Sequence, residues 1–182
     1  IKQLTFVPPL HIQSIHPRHG TNDGGTMLTI QTTTSLFPIV AYQCHFGILQ
    51  IAVAATIVNN QTLQCQTPAH VLGPAAVGVY VAGSRISANN VMYEYTSSLV
   101  VTSLFPLSGA ITGGDWITAT LSDHAWESTD SWCRFGVTVS RGIVNRSDNT
   151  IQCRTTAVPH PTSVIVQVSA NGIDFFGNIN FE

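Results

Sequence analysis

The chain has 182 residues with 7 Lys+Arg against 9 Asp+Glu, a formal net charge of −2. Charged residues are 9% of the sequence, against about 25% in an ordinary soluble domain. Lys2 is the single lysine and the arginines are scattered, which excludes the basic patch that nucleic-acid binding requires. No apolar run approaches the roughly 20 residues that span a bilayer, so we expect no direct membrane insertion.

The start of the chain predicts an internal fragment of a longer protein. The first residues are already strand-like, and they carry neither an initiator Met nor a signal peptide. Residues 1–9 end in Pro8-Pro9, so we interpret them as the end of a preceding module or as a linker to it.

An internal repeat dominates the sequence. The same residue types recur in the same order in two copies: Pro17, Gly20, Gly24, Gly25, Cys44, Phe46, Gly47 and Cys65, then Pro106, Gly109, Gly113, Gly114, Cys133, Phe135, Gly136 and Cys153. The tails Met92–Tyr95 and Ile179–Glu182 align with each other. The repeat predicts one domain over residues 10–96 and a second over 97–182, with a very short joint that favours a rigid spacer.

Both copies are predicted to be all β. Short runs of alternating apolar residues recur about every 8–12 residues between Gly, Pro, Asn and Ser turns, and no window keeps a helical period. Such spacing predicts a Greek-key sandwich. We interpret the Gly pairs as turn residues, and Pro17 and Pro106 as bends where the first strand ends and the chain can switch sheets.

The four cysteines fall two per copy. The repeat therefore selects the pairs Cys44–Cys65 and Cys133–Cys153 among the connectivities that four cysteines allow. Each pair would close a loop of about 20 residues, worth roughly 3 kcal/mol in the chain-entropy model. Buried free thiols are the alternative; a metal site lacks the expected Cys-x-x-Cys or clustered His spacing. Disulfides would indicate an oxidising compartment.

Two sequons agree with a secreted location. Asn60 begins Asn60-Gln61-Thr62, and Asn145 begins Asn145-Arg146-Ser147. Both fall in the same inter-strand loop of their copies, where we expect an exposed site. The sequence leaves open whether N-linked glycans are attached there.

The repeated residues, with Thr67 and Pro68 in the first copy and Thr155 in the second, resemble the IPT/TIG domain over about residues 12–95 and 101–182. The resemblance implies two tandem immunoglobulin-like β-sandwich domains without catalytic residues of their own. Members occur in plexins and growth-factor receptors, large ciliary and cell-surface proteins, Rel-type transcription factors and starch-active enzymes. Pro159 comes later than Pro68, and the stretch Trp126–Trp132 has no counterpart, so the two copies are expected to differ in their loops.

Catalytic, cofactor and metal sites are not predicted. His11, His16 and His19 are interpreted as surface or turn histidines. The neighbouring residues Ser122, Asp123 and His124 do not make a catalytic triad, which needs spatial geometry and an oxyanion hole.

The tryptophans are the remaining candidates for binding, because exposed Trp can stack on sugars or anchor an interface. Trp126, in the loop from Asp123 to Ser131, is the predicted contact residue. Trp116 replaces Met27 inside a strand and is expected to be half-buried.

The favoured hypothesis is a non-catalytic extracellular structural and protein-interaction module, a rigid segment of a larger cell-surface, ciliary or filament-forming glycoprotein. Its partners would be neighbouring immunoglobulin-like domains of the same chain or other copies in an assembly. The alternatives are carbohydrate-binding accessory domains of a secreted enzyme and the ectodomain stalk of a plexin-like receptor.

Overall fold

The computed structural model describes residues 8–122 and 130–182. The chain divides into two compact units, here called domain 1 and domain 2; domain 1 ends at Thr96 and domain 2 begins at Ser97. All named elements are β-strands, which confirms the all-β prediction. The described residues include no helix long and apolar enough to cross a membrane.

Domain 1 contains the first group of strands. They are β1 (Ile12–His16), β2 (His19–Thr21), β3 (Met27–Thr32), β4 (Tyr42–Phe46), β5 (Ile51–Asn59), β6 (Thr62–Gln66), β7 (Gly73–Val81), β8 (Ser84–Arg85) and β9 (Val91–Thr96). The strand order is β1-β3-β6-β5-β4-β7-β9-β2, with β8 paired to β7. All of these pairs are antiparallel except the parallel pair β2–β9.

The long strand β5 connects the two layers of domain 1. Its first half, up to Ala55, pairs with β4, and its second half, from Ala55, pairs with β6. Alternating side chains of both layers point inward, as strand geometry requires. The inward-facing residues form one core cluster that includes Leu28, Phe46, Val79 and Tyr93.

Domain 2 repeats this arrangement with β10 (Val101–Phe105), β11 (Trp116–Leu121), β12 (Trp132–Phe135), β13 (Thr138–Asn145), β14 (Thr150–Arg154), β15 (Val164–Ser169) and β16 (Phe176–Phe181). Its strand order is β10-β11-β14-β13-β12-β15-β16. Strand β13 takes the role of β5: Thr138–Arg141 pair with β12, and Gly142–Asn145 pair with β14.

One disulfide links the two layers of each domain, as the repeat predicts. Cys44 on β4 is bonded to Cys65 on β6, with 6.4 Å between their Cα atoms. Cys133 on β12 is bonded to Cys153 on β14, with a Cα–Cα distance of 6.2 Å. All four are buried, and no described cysteine is free, so the free-thiol alternative is excluded.

The glycines that recur at the first turn of both copies have a geometric cause. Gly24 and Gly113 have φ values of 78° and 67°. A Cβ at Gly24 would lie 2.5 Å from the backbone of Pro68, and one at Gly113 would lie 2.6 Å from that of Ala157. Only glycine fits such positions.

The chain changes layers at Pro17, as the sequence predicts. Before this residue β1 pairs with β3, and after it β2 pairs with β9. The His16–Pro17 and Phe105–Pro106 peptide bonds are both cis.

Strand pairing corrects the alignment of the two tails. Tyr93 lies opposite Ala75, and Phe181 lies opposite Val164. The amide of Glu94 donates to the carbonyl of Arg18, and the amide of Glu182 donates to that of Leu107. Tyr93 therefore corresponds to Phe181 and Glu94 to Glu182, so the tail alignment made from sequence is wrong by one residue. Between equivalent positions domain 1 has one residue more, because Tyr93 comes 14 positions after Val79 whereas Phe181 comes 13 positions after Val168.

Candidate interaction surface

The two domains differ most clearly in the turn after the first core cysteine. In domain 1, Gly47–Gln50 separate β4 from β5, whereas only Gly136 and Val137 separate β12 from β13. The longer turn carries Ile48 and Leu49, which are 98% and 82% exposed. Two large apolar side chains are thus presented to solvent where domain 2 presents only Val137.

Hydrogen bonds fix this turn against the neighbouring strand. Gln50 has a φ of 51°, and its Nε2 donates to the carbonyl of Gly47 at 2.8 Å. The hydroxyl of Tyr80 on β7 donates to Gln50 Oε1 at 2.5 Å. The exposed pair Ile48 and Leu49 therefore lies on an ordered turn.

The loop between β6 and β7 faces the turn. The His70 ring stacks on Tyr95 with 4.7 Å between ring centroids, and its Nδ1 lies 2.9 Å from the carbonyl oxygen of Val71. A Cβ at Gly47 would come within 2.4 Å of His70 Nε2, so glycine lets the turn and the loop approach each other. Val71, beside His70, is 75% exposed.

Between turn and loop runs an open groove of about 640 Å³, here called the domain 1 groove. Its floor is formed by the small residues Ala76 and Gly78 of β7. Its rim, here called the groove rim, is apolar and consists of Ile48, Leu49, Val71 and Met92.

Arg85 lines the polar part of the domain 1 groove. Its guanidinium donates to the carbonyl of Asn89 at 2.8 Å and to the side chain of Asn90, and its Nε donates to Ser87 Oγ at 3.2 Å. These bonds hold the only charged side chain among the groove's lining residues against the protein.

The domain 1 groove is lined by few titratable side chains. Its lining contains one histidine, His70, and no Asp, Glu, Cys, Ser or Thr. The described residues contain no group of three or more His, Cys, Asp or Glu that could hold a metal ion.

Asn60 is exposed in the turn that follows β5, and Asn145 is exposed as the last residue of β13. Asn145 Oδ1 accepts from the amide of Ser147 at 3.2 Å and from its hydroxyl at 2.7 Å. In the first sequon the hydroxyl of Thr62 donates to Gln31 Oε1 at 3.1 Å. Attachment of glycans stays a prediction.

Two of the tryptophans were singled out by the sequence as candidates for binding. Trp126, the predicted contact residue, lies outside the described residues. Trp116 is 45% exposed on β11, close to the expected half-burial, and the guanidinium carbon of Arg154 lies 4.7 Å from its ring centroid. That cation–π contact covers one face of the ring and leaves less of it for a sugar.

The three histidines near the start of domain 1 lie at or near the surface. His11 and His16 are exposed and His19 is partly exposed, in agreement with the surface interpretation. Asp123 and His124 lie outside the described residues. The domain 1 groove was not predicted from sequence; its only signal was the difference in turn length after Phe46-Gly47 and Phe135-Gly136.

Comparison with known proteins agrees with this architecture. The family model for the IPT/TIG domain matches residues 10–95 and 99–182. Among solved structures, the plexin A4 extracellular region with domains 1 to 10 is 17% identical with a TM-score of 0.59, over 94% of this chain and 16% of that one. The plexin A4 extracellular region with domains 1 to 8 is 19% identical with a TM-score of 0.50, over 94% of this chain and 18% of that one. This chain thus spans less than a fifth of those structures, whose likeness shows the fold. On the two family matches, the chain belongs to the IPT/TIG domain family.

Proposed function

We propose that this chain is a non-catalytic extracellular module of a larger cell-surface protein and that it binds another protein through the domain 1 groove. IPT/TIG domains are in general immunoglobulin-like modules without catalytic residues of their own. Fold alone does not decide function, so the proposal rests on the surface that distinguishes domain 1 from domain 2.

The groove rim is the observation that carries the proposal. Its four side chains, Ile48, Leu49, Val71 and Met92, are between 52% and 98% exposed. Full burial of one side chain of this size is worth about 1.5–3 kcal/mol. Exposed apolar surface clustered around a groove is typical of protein-binding sites, and the occupant that fits this lining is an apolar segment of a protein.

The cysteines support the extracellular location. Both disulfides are buried within their domains, and structural disulfides persist in oxidising compartments. The exposed sequons at Asn60 and Asn145 are compatible with the same location. We propose neighbouring immunoglobulin-like domains, or other copies in an assembly, as partners, and a rigid spacer as the structural role.

The ectodomain stalk of a plexin-like receptor is the second candidate. The fold shared with the plexin A4 extracellular region favours it. A cytoplasmic region of plexin type in the parent protein would support the receptor, and further sandwiches on both sides would support a filament or giant surface protein. For carbohydrate binding, Arg154 covers one face of Trp116, and the predicted contact residue Trp126 lies outside the described residues.

A matched pair of substitutions tests the proposed function. Leu49→Asp places a charge on the groove rim, and Val137→Asp does the same at the corresponding turn of domain 2, where Val137 is 96% exposed. Partners cross-linked to the full-length protein on intact cells would be quantified. Loss of one buried apolar side chain should reduce capture about tenfold for Leu49→Asp, with little change for Val137→Asp. Equal capture by both variants would contradict the proposal.

A further inference from the structure

The connection between β3 and β4 in domain 1 presents a second apolar surface to solvent. Phe37 is 44% exposed and Ile39 is 86% exposed. Neither residue lines the domain 1 groove. These two side chains are here called the Phe37 patch. Exposed apolar side chains that lie together are typical of binding sites.

The Phe37 patch lies on an ordered turn. The amide of Val40 donates to the carbonyl of Phe37 at 3.1 Å, and the amide of Phe37 donates to the hydroxyl of Tyr42 at 3.0 Å. On the other side of the patch, Leu36 is buried in the core of domain 1. The connection is therefore anchored at both ends, while the side chains of the patch stay outside.

The first sequon lies directly beside this patch. The amide of Leu36 donates to the carbonyl of Asn60 at 2.6 Å. Phe37 is the next residue after Leu36, and successive Cα atoms are about 3.8 Å apart. A glycan bonded to Asn60 therefore begins one residue away from the exposed phenyl ring.

Gln61 fixes the sequon against the same connection. Its carbonyl accepts from the amide of Thr32 at 2.9 Å and from the Thr32 hydroxyl at 3.2 Å. Its Nε2 donates to the carbonyl of Thr33 at 3.3 Å. These bonds keep the sequon and the patch next to each other, which lets a group tethered to one contact the other.

The first sugar of an N-linked glycan has the chemistry that this patch accepts. N-acetylglucosamine has C–H groups on the faces of its ring and a methyl group on its amide, and both pack on aromatic and aliphatic side chains. Because the sugar is tethered, its effective concentration at the patch is in the millimolar range. Even a weak contact is then occupied.

Attachment of the glycan is a group transfer from a lipid diphosphate. A bond forms between Asn60 Nδ2 and C1 of the sugar, the side-chain amide loses a proton, and the bond from C1 to the diphosphate breaks. In the folded domain Thr62 is 4% exposed and its hydroxyl donates to Gln31 Oε1 at 3.1 Å. Since the sequon hydroxyl is part of what the transferase recognises, transfer takes place before domain 1 folds, and the sugar packs as the domain closes.

From this juxtaposition we propose that domain 1 contains a binding site for its own glycan, in which the first N-acetylglucosamine on Asn60 packs on Phe37 and Ile39. Attachment of the glycan rests on the extracellular location in the proposed function. The contact lies outside the domain 1 groove, so its test and the Leu49→Asp test can fail independently.

Nuclear Overhauser effects test the contact. The 182-residue chain with Asn145→Gln is secreted from eukaryotic cells, which leaves the sequon at Asn60, and its glycan is trimmed to one isotope-labelled N-acetylglucosamine. Cross-peaks are expected between this sugar and Phe37 and Ile39, with upfield shifts of the sugar protons from the ring current. Phe37→Tyr keeps the ring and should retain the shifts, whereas Phe37→Ala should lose them. Missing cross-peaks in a folded chain that carries the sugar, or equal shifts in both variants, would overturn the inference.

A thermodynamic cycle measures what the contact contributes. Urea unfolding, followed by the fluorescence of the four tyrosines of domain 1, compares the trimmed chain with Asn60→Gln, each with Phe37 and with Phe37→Ala. With Phe37 present, the sugar should raise the ratio of folded to unfolded domain 1 about fivefold, within the range for coupled neighbours. With Phe37→Ala the increase should largely disappear. An equal increase in both backgrounds, or a secreted chain without a sugar on Asn60, would overturn the inference and leave the Leu49→Asp test unaffected.

Discussion

The imidazole of His45 on β4 stacks on the phenol ring of Tyr80 on β7, with 3.7 Å between ring centroids and 11° between ring planes. Both ring nitrogens of His45 are shielded from solvent, and no described residue forms a hydrogen bond with them. Burial lowers the pKa of His45, because the charged imidazolium would lose its hydration without gaining a partner.

This contact predicts acid sensitivity of domain 1. Because the folded-state pKa of His45 is lowered, the unfolded chain binds more protons than the folded chain at acid pH. The stability that neutral His45 gives the folded domain is fully present above the ordinary His pKa of about 6.5. This stability is lost as the pH falls below that value towards the folded-state pKa of His45. His45→Phe keeps a stacked ring and removes the titration, so its free energy of unfolding should depend less on pH.

Urea unfolding between about pH 7 and pH 5 checks this prediction. All four tyrosines lie in domain 1, so tyrosine fluorescence reports on that domain. His11→Gln alters an exposed histidine and should retain the parent's slope. A His45→Phe variant as pH-sensitive as the parent would show that another group is responsible.

Gly142 is predicted to be required beside the second disulfide. It pairs with Cys153, and a Cβ there would lie 2.8 Å from Ile151 Cγ2 and 2.9 Å from both Cys153 Sγ and Ser131 Oγ. Gly142→Ala should therefore destabilise domain 2 by about 1–3 kcal/mol through overpacking. Urea unfolding followed by tryptophan fluorescence measures this, since all three tryptophans are in domain 2.

The counterpart of Gly142 supplies the control. Ala55 pairs with Cys65 in domain 1, where the methyl group is accommodated. Ala55→Gly should cost domain 1 roughly 0.5–1 kcal/mol through backbone entropy. Unchanged stability of Gly142→Ala would mean that the neighbouring strands move apart without penalty.

Each disulfide is expected to stabilise only its own domain. Joint replacement of Cys133 and Cys153 by Ala should lower the free energy of unfolding of domain 2 by about 3 kcal/mol, with domain 1 unaffected. Replacement of Cys44 and Cys65 should produce the reverse. The tyrosine signal reports on domain 1 and the tryptophan signal on domain 2. An equal loss of stability in both domains after removal of one disulfide would refute this prediction.

Both sequons are predicted to carry glycans when the protein passes through a secretory pathway. Asn60→Gln and Asn145→Gln should each remove one glycan mass from the intact protein, and the double variant should be insensitive to glycosidase. Intact-protein mass spectrometry measures the difference. A parent protein with no glycan mass at either site would refute the prediction.

Much of the fold follows from the sequence because the repeated residues have local roles. Cys44, Phe46 and Cys133 are buried at 5% exposure or less, and Gly24 has the positive φ that its turn position predicts. Repetition of these residues also selects the disulfide pairing, because equivalent positions in two copies of one fold have the same neighbours.

The candidate surface could not be predicted in the same way. Ile48 and Leu49 precede the apolar residues Ile51, Ala52 and Val53, so in sequence they resemble the start of the strand. Only the pairing of Phe46 with Ile51 shows that both lie in a turn. The alignment of the two tails could not be predicted either. Domain 1 has one residue more before its tail, and only the pairing of Ala75 with Tyr93 reveals it.

The central claim is extracellular protein binding through the domain 1 groove, and site-specific photo-cross-linking tests it most directly. A photoreactive amino acid replaces Ile48 in the full-length protein on intact cells, and the matched control carries it at Val137. The account predicts a discrete cross-linked protein from position 48 that is sensitive to protease added outside the cells, and much less of it from position 137. Absence of a product at position 48, identical products at both positions, or a product protected inside the cell would contradict the account.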